Sequence, residues 1–361
     1  MRRPAVVPAA ALLLLLLAGP LAAQEFTESF TLDFTSLHVV DLIGEVRVLP
    51  AAGDAFEVEV AVRGEDAGRD RLTFVVDKDK RTLRIDFPLD KERDYVYPPL
   101  KNGKTSIQFS QRDERSRDFW DVVSSLLGSE RVTVRGRGRG LEVWADVTVR
   151  VPAGREADIR LGVGRIEAEG VRGDLVLDTS SGSVTARGIE GSVLADTGSG
   201  SVELLDIAGD VSVDTGSGEV VLRRCRGDEI GADTGSGGVT IEDVVCSRLV
   251  ADTGSGGVQA EAVDAESALI DTGSGSVLLR LTRMGDGKFI IDTGSGGVEL
   301  VLPRDASCRV TAETGSGGVH VDVPGVAGPD RHTDEFSFTV GGGEATVALD
   351  TGSGGIRVRQ E

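Results

Sequence analysis

Residues 289–300, FIIDTGSGGVEL, contain the pattern in this chain that most invites a catalytic interpretation. Two apolar β-formers followed by Asp-Thr-Gly-Ser also surround the catalytic aspartate of pepsin-like proteases. Those enzymes need two aspartates, one from each lobe, which face each other and share one proton. The pattern therefore raises the hypothesis that Asp292 is a protease aspartate.

The same pattern occurs nine times, and this repetition excludes the protease hypothesis. Successive copies are separated by 18, 18, 19, 19, 19, 21, 21 and 37 residues, and a degenerate copy, RLGVGRI, starts at Arg160. Chemistry that uses two facing carboxylates has no use for nine closely spaced ones. The copies begin at Asp178, Asp196, Asp214, Asp233, Asp252, Asp271, Asp292, Glu313 and Asp350.

The repeat predicts a fold rather than a reaction. With the acidic residue as position zero, every copy has apolar residues at −3, −1, +6 and +8 and threonine at +1. This alternation is typical of strands with one buried face, and the glycines between +1 and +6 would bend the chain into a corner. We predict an all-β, parallel β-solenoid (a single-stranded β-helix) of about ten coils of 18–21 residues, because stacked coils share a core.

The two ends of the chain depart from the repeat. We predict that residues 24–140 form an irregular, strand-rich cap in front of the solenoid, which covers residues 141–361. VVDLIGEVRV (39–48) is interpreted as an atypical first coil with Gly44 in its corner. The 37-residue interval predicts one enlarged coil with an excursion near 324–346.

A charged insertion, residues 88–130, interrupts the predicted cap. It includes SRDFWDVVSSLLG, whose apolar stripe and N-cap residue Ser116 predict one short helix. The insertion also contains Tyr95, Tyr97 and Trp120, aromatic residues that are rare elsewhere in the chain.

Residues 1–23 have the features of a secretory signal peptide. Arg2 and Arg3 precede an apolar run at 9–18, and GPLAAQ offers small residues for cleavage after Ala23. The run is shorter than the about 20 residues that span a bilayer, so we expect no membrane insertion after cleavage. We predict an exported protein located in the periplasm, on the cell surface or outside the cell.

The charge of the chain argues against nucleic-acid partners. The sequence has 39 basic and 59 acidic residues, and loss of the leader, which has two arginines and no acid, would leave a net charge near −22. Such a chain is repelled by nucleic acid and by anionic lipid surfaces.

The three cysteines, Cys225, Cys246 and Cys308, allow two interpretations. Export permits a disulfide, and Cys225 and Cys246 lie about one repeat apart, so a bridge between adjacent coils is one possibility. Because their positions in the repeat differ by two residues, three buried thiols are the alternative.

Alternation places the threonine column inside and the acidic column outside the solenoid. The structural interpretation of the acidic column is that each carboxylate accepts hydrogen bonds from its own Gly-Ser corner, as in an Asx-turn. The alternative is calcium held along the column, but one carboxylate per coil supplies few of the six to eight oxygens that calcium needs. We therefore expect no cofactor.

Catalytic residues are not apparent in the sequence. The three histidines, His38, His320 and His332, show neither metal-ligand spacing nor an evident nucleophile partner. We therefore predict no catalytic or metal-binding residues. Contacts with a ligand or partner would come from the irregular segments, and the candidate contact residues are Tyr95, Tyr97, Trp120 and Phe336.

The nine copies behind a leader, the segment LEVWADVTVRVPAG (141–154) and the closing TGSGGIRV (351–358) resemble the bacterial domain-of-unknown-function family labelled "putative adhesin". The resemblance covers roughly residues 26–361. It implies a β-solenoid of the cell surface or envelope, and some relatives are linked to envelope-stress signalling. It transfers no functional residue.

The sequence thus favours an exported, non-enzymatic, adhesin-like β-solenoid that acts as a scaffold or binding protein of the bacterial cell envelope. Its partner would be an envelope protein or a surface glycan. Two alternatives stay open: a component of envelope-stress signalling that binds a protein partner, and a β-helix enzyme that acts on polysaccharides.

Overall fold

A computed structural model describes residues 25–108, 131–329 and 333–361. The predicted leader, the predicted helix after Ser116 and Trp120 lie outside the described residues. The N-terminal region contains β1 (Phe26–Leu32), β2 (Ser36–Pro50), β3 (Phe56–Arg63), β4 (Thr73–Asp77), β5 (Thr82–Asp86), β6 (Asp94–Val96), a 3₁₀ turn (Pro98–Leu100), β7 (Lys104–Gln108), β8 (Arg131–Arg135) and β9 (Trp144–Val151).

The strands that follow belong to the repeats. They are β10 (Glu156–Glu169), β11 (Leu175–Ser181), β12 (Val184–Glu190), β13 (Val193–Thr197), β14 (Val202–Ala208), β15 (Val211–Thr215), β16 (Val220–Arg223), β17 (Arg226–Thr234), β18 (Val239–Thr253), β19 (Val258–Thr272), β20 (Val277–Met284), β21 (Lys288–Thr293), β22 (Val298–Leu302), β23 (Cys308–Thr314), β24 (Val319–Asp322), β25 (Glu335–Val340), β26 (Ala345–Thr351) and β27 (Ile356–Gln360).

These strands form the predicted parallel β-solenoid. Each coil has a first strand, which ends at the acidic residue and its threonine, and a second strand, which begins with the apolar residue at +6. Equivalent positions stack in register, so that Asp196 pairs with Asp214 and Val202 pairs with Val220. The predicted first coil is confirmed as well, because β2 lies parallel to β10 with Gly44 opposite Gly164.

The threonine column faces inward, as predicted, and its hydroxyls join neighbouring coils. Thr272 is fully buried, and its Oγ1 donates a hydrogen bond to the carbonyl oxygen of Gly256 in the preceding coil, at 2.8 Å. The same oxygen accepts a hydrogen bond from the N–H of Gly275 in its own corner, at 3.0 Å. Each threonine of this kind satisfies two buried backbone groups that the bend takes out of the strand ladder.

Antiparallel strands cover both ends of the solenoid. At the N-terminal end, β5 pairs parallel with the first half of β2, and β9 pairs parallel with its second half. β4 then pairs antiparallel with β5, and β3 pairs antiparallel with β9. At the other end, β25 pairs antiparallel with β23. Antiparallel cover of this kind blunts the open edges through which stacked parallel strands would otherwise associate.

The order of the last coils differs from the prediction of a simple enlarged coil. The Asp350 coil, formed by β26 and β27, lies between the Asp292 coil and the Glu313 coil: Asp350 pairs with Asp292 on one side and with Glu313 on the other. The second strand β27 is likewise placed between β22 and β24. The last coil in sequence is therefore the penultimate coil in space, and β25 covers the Glu313 coil from outside.

The three cysteines are free and buried, so the structure has the buried thiols and not the disulfide between Cys225 and Cys246. Burial raises the pKa of the Cys225 and Cys308 thiols to about 11 and that of Cys246 to about 12. At pH 8 we expect a thiol-specific reagent to leave the native protein unmodified and to modify three thiols after denaturation. Fewer than three reactive thiols in the denatured, unreduced chain would instead indicate a disulfide.

Candidate binding face

The structure describes three of the four predicted contact residues, and their environments differ. The prediction that Tyr95 and Tyr97 are surface contact residues is wrong, because both side chains are buried. Tyr95 packs edge-on against Phe87 at 5.7 Å, and Tyr97 packs against Trp144 at the same centroid distance. They are core residues of the small sheet formed by β6, β8 and β7.

Phe336 is half-buried on β25, opposite Ala312 of the Glu313 coil. Its ring lies 5.7 Å from that of Phe338, and both rings pack against the end of the solenoid core. Phe336 is therefore mainly part of the terminal cover of the solenoid. The fourth candidate, Trp120, lies outside the described residues.

The acidic column faces outward, as predicted, and stacks in register over all nine coils; its exposed part is a continuous ladder of seven coils. Register pairs each acidic residue with the next, at the ~4.8 Å spacing of adjacent strands, so the ladder is roughly 30 Å long. In spatial order its members are Asp214, Asp233, Asp252, Asp271, Asp292, Asp350 and Glu313. We call these seven residues the carboxylate ladder.

The carboxylates of the ladder repel one another. The pKa of Asp233 is raised by partial burial and by the carboxylates of Asp214 and Asp252, and the pKa of Asp292 is raised by the same two kinds of cause, through Asp271 and Asp350. Within the described ranges, no side-chain hydrogen bond or ion pair joins these seven carboxylates to another residue. The ladder is thus an unneutralised row of negative charge at neutral pH.

The Asx-turn prediction for the ladder is wrong, because threonine occupies that role. In the corner after Asp233, the N–H of Gly237 donates to Oγ1 of Thr234 at 3.0 Å. The N–H of Gly235 donates to the carbonyl oxygen of Thr215 in the preceding coil. Since other atoms satisfy the corner amides, the fold does not use the aspartates as turn acceptors.

An apolar stripe runs beside the ladder at position −2 of four consecutive coils. It consists of Val250, Leu269, Ile290 and Ala348, which stack in register. Leu269 is 38% exposed and Ile290 is 39% exposed, two of the three large apolar side chains that are exposed within the described part of the chain. We call the carboxylate ladder and this apolar stripe together the ladder face.

On the outer face of the second strands, by contrast, carboxylates form ion pairs with arginine side chains. Arg223 contacts Glu242 at 3.0 Å, and Arg359 contacts Glu299 at 2.8 Å. A shallow groove of about 600 Å³ crosses this face between Gly238 and Gly355. The groove is lined mainly by small and apolar residues and gathers few charged groups, so it offers weaker recognition chemistry than the ladder face.

Among the described residues no group of three or more His, Cys, Asp and Glu side chains is arranged to hold a metal ion. Nδ1 of His38 lies 3.1 Å from Oδ2 of Asp158, at hydrogen-bond distance. Although burial opposes it, hydrogen bonds from His38 and Arg160 lower the pKa of Asp158. This network neutralises charge beside the first coil and includes no nucleophile. The expectation that the ladder holds no calcium stays a prediction.

The sequence interpretation missed the apolar stripe. Its signal is present in three consecutive copies of the repeat, where position −2 is Val250, Leu269 and Ile290, and the spatial order of the coils adds Ala348 beside Ile290. No helix in the described ranges has the length and apolar character needed to cross a bilayer.

A model of the family described as Toastrack DUF4097 matches residues 145–359. No curated protein matches the sequence significantly. Among solved structures, a "putative adhesin" from Bacteroides fragilis is similar over 94% of this chain and 97% of its own, with 9% identity and a TM-score of 0.37. A "putative lipid binding protein" from Parabacteroides distasonis has 10% identity and a TM-score of 0.39, with coverages of 92% and 96%. A "putative cell adhesion protein" from Clostridium sporogenes has 11% identity and a TM-score of 0.20, with coverages of 94% and 100%.

Proposed function

Because the chain belongs to the Toastrack family (DUF4097), a domain family of unknown function, we propose a function from the chemistry of its surface. The protein is an exported, non-enzymatic binding scaffold of the bacterial cell envelope. Its binding surface is the ladder face, and its partner is an envelope protein that presents cationic groups beside apolar ones. The leader-like residues 1–23 support export.

The observation that carries this proposal is the contrast between the two strand faces. On the second strands, Glu242 and Glu299 have arginine partners, whereas the seven carboxylates of the ladder have none within the described residues. Repulsion between adjacent exposed carboxylates costs up to about 1 kcal/mol per pair in water. A row of such charges beside exposed leucine and isoleucine weakens the isolated fold, and a cationic, partly apolar partner would relieve both features.

The experiment is a pull-down from envelope fractions with the wild type and a ladder variant, Asp252→Asn/Asp271→Asn/Asp292→Asn. We expect the wild type to retain a partner in a salt-dependent manner and the ladder variant to bind it at least tenfold more weakly, because charge complementarity is lost. The matched control, Asp228→Asn/Glu266→Gln/Asp286→Asn, removes the same charge from exposed positions outside the ladder and should bind normally.

Two results would contradict the proposal. If the ladder variant and the control variant retain the same partner equally, binding occurs elsewhere on the protein. If the purified protein releases reducing sugars from envelope polysaccharides, it is an enzyme and not only a scaffold.

A further inference from the structure

The last coil makes its strand pairs with its two neighbouring coils. β26 pairs with β21 and β23, and β27 pairs with β22 and β24. Its side chains make the same connections: Thr351 Oγ1 donates to the carbonyl oxygen of Gly296 at 2.8 Å, and Arg359 contacts Glu299 at 2.8 Å. Residues 345–361 thus fill a slot one coil wide.

A short crossover joins this coil to the rest of the chain. Val340 and Ala345 both pair with Cys308, Val340 antiparallel on the outside and Ala345 parallel on the inside. The connection, residues 341–344, must therefore pass over the start of β23. It contains three glycines, and the N–H of Gly342 donates to Oγ of Ser307 at 2.9 Å.

Both walls of the slot precede its occupant in the chain. The Glu313 coil precedes residues 345–361 in the chain, so β23 and β24 are available before the coil that separates them from β21 and β22. Until the last coil enters, the backbone groups on both walls of the slot lack strand partners, and such edges capture matching strands.

We propose that a second copy of this chain can supply the last coil, so that two copies associate by exchanging residues 345–361. An exchanged coil makes the same strand pairs, threonine hydrogen bonds and ion pairs as the chain's own coil. Only the conformation of the crossover changes, which is the condition under which exchange of an element between identical chains has a low cost.

Shortening the crossover tests whether two copies exchange their last coils. Val340 and Ala345 lie on opposite sides of β23, about 10 Å apart at the spacing of adjacent strands. Deleting Gly342 and Gly343 leaves three Cα–Cα steps, which reach at most about 11 Å and leave no length to pass over Ser307. The full-length chain with this deletion cannot close its own slot and should be a dimer by light scattering.

Two matched variants accompany it. Deleting Ala327 and Gly328, which are exposed in the segment between β24 and β25, removes the same length without shortening the crossover and should leave a monomer. Adding Val347→Asp to the shortened crossover puts a charge in the buried centre of the slot and should abolish the dimer. A folded monomer from the shortened chain would overturn the proposal.

If the shortened chain does not fold, the proposal is tested by refolding the wild-type protein. Two differently tagged copies are denatured together and refolded together, or refolded separately and then mixed. We expect mixed pairs after joint refolding, increasing with protein concentration, and at least tenfold fewer after simple mixing. Absence of mixed pairs after joint refolding at every concentration would overturn the proposal.

Discussion

Replacing Gly237 by alanine should destabilise the solenoid more than any other single methyl group added to the central corners. A Cβ atom at this position would lie 1.6 Å from the carbonyl oxygen of Gly218 and 2.3 Å from its carbonyl carbon. Both obstacles are backbone atoms of the preceding coil, so no side-chain rotation relieves the overlap. The two coils would have to separate, which breaks the threonine hydrogen bond between Thr234 and Gly218.

The adjacent residue is the matched control. A Cβ atom on Gly238 would find its nearest neighbour, the carbonyl oxygen of Gly257, at 3.6 Å, an ordinary contact. We expect Gly237→Ala to lose at least about 4 kcal/mol of unfolding free energy, a range reached only by disruption of a close-packed site. Gly238→Ala should stay within about 1 kcal/mol of the wild type. Equal denaturation midpoints for the two variants would show that the coils are not packed as described.

The second large effect concerns Asp41, a carboxyl group buried in the corner of the first coil. Its Oδ1 accepts a hydrogen bond from the N–H of Leu42 at 2.8 Å, whereas Oδ2 has no hydrogen-bond partner within the described residues. Burial raises the pKa of Asp41 well above its usual value, and the nearby carboxylate of Asp146 adds to this. The folded protein therefore holds a proton on Asp41 that the unfolded chain releases near pH 4.

This difference makes stability fall as pH rises. Between the unfolded pKa, about 4, and the raised folded pKa, the folded state binds more protons than the unfolded state, so unfolding free energy declines by up to about 1.4 kcal/mol per pH unit. Asp41→Asn removes the titrating group while keeping its size. We expect this variant to gain stability relative to the wild type progressively as pH is raised from 4, up to the folded pKa of Asp41.

Denaturant titrations of both proteins at a series of pH values provide the measurement. The difference between the two curves isolates Asp41 from the carboxylate ladder, which titrates in both proteins. A difference that does not change with pH would mean that Asp41 is ionised in the folded state. The matched control is Asp33→Asn, which removes the charge of an exposed acid near the same coil.

The repeated pattern predicted the coils because the information is local. Apolar residues at −3, −1, +6 and +8 around a glycine corner determine which side chains point inward, and Val213, Thr215 and Val220 are buried accordingly. The pattern could not determine the order of the final coils. The Glu313 and Asp350 copies carry the same inward residue types, so either could stack on the Asp292 coil, and only the complete chain path decides between them.

The binding residues were harder to predict for a related reason. Tyr95 and Tyr97 lie in a charged segment, which suggested exposure, but they are covered by Phe87, just before the segment, and by Trp144, which is distant in the chain. The outward direction of the aspartates followed from alternation. Their lack of partners did not, because it depends on which residues neighbouring coils place beside them.

The insertion of the last coil also determines where the polypeptide leaves the rod. Glu361 donates its N–H to the carbonyl oxygen of Leu302, and its side chain contacts Arg280 at 2.9 Å, on the flank of the structure. A reporter or an anchoring group fused after this residue would project sideways, while the tip formed by the Glu313 coil and β25 stays uncovered. Protein immobilised through its C-terminus would therefore lie along a surface rather than stand upright on it.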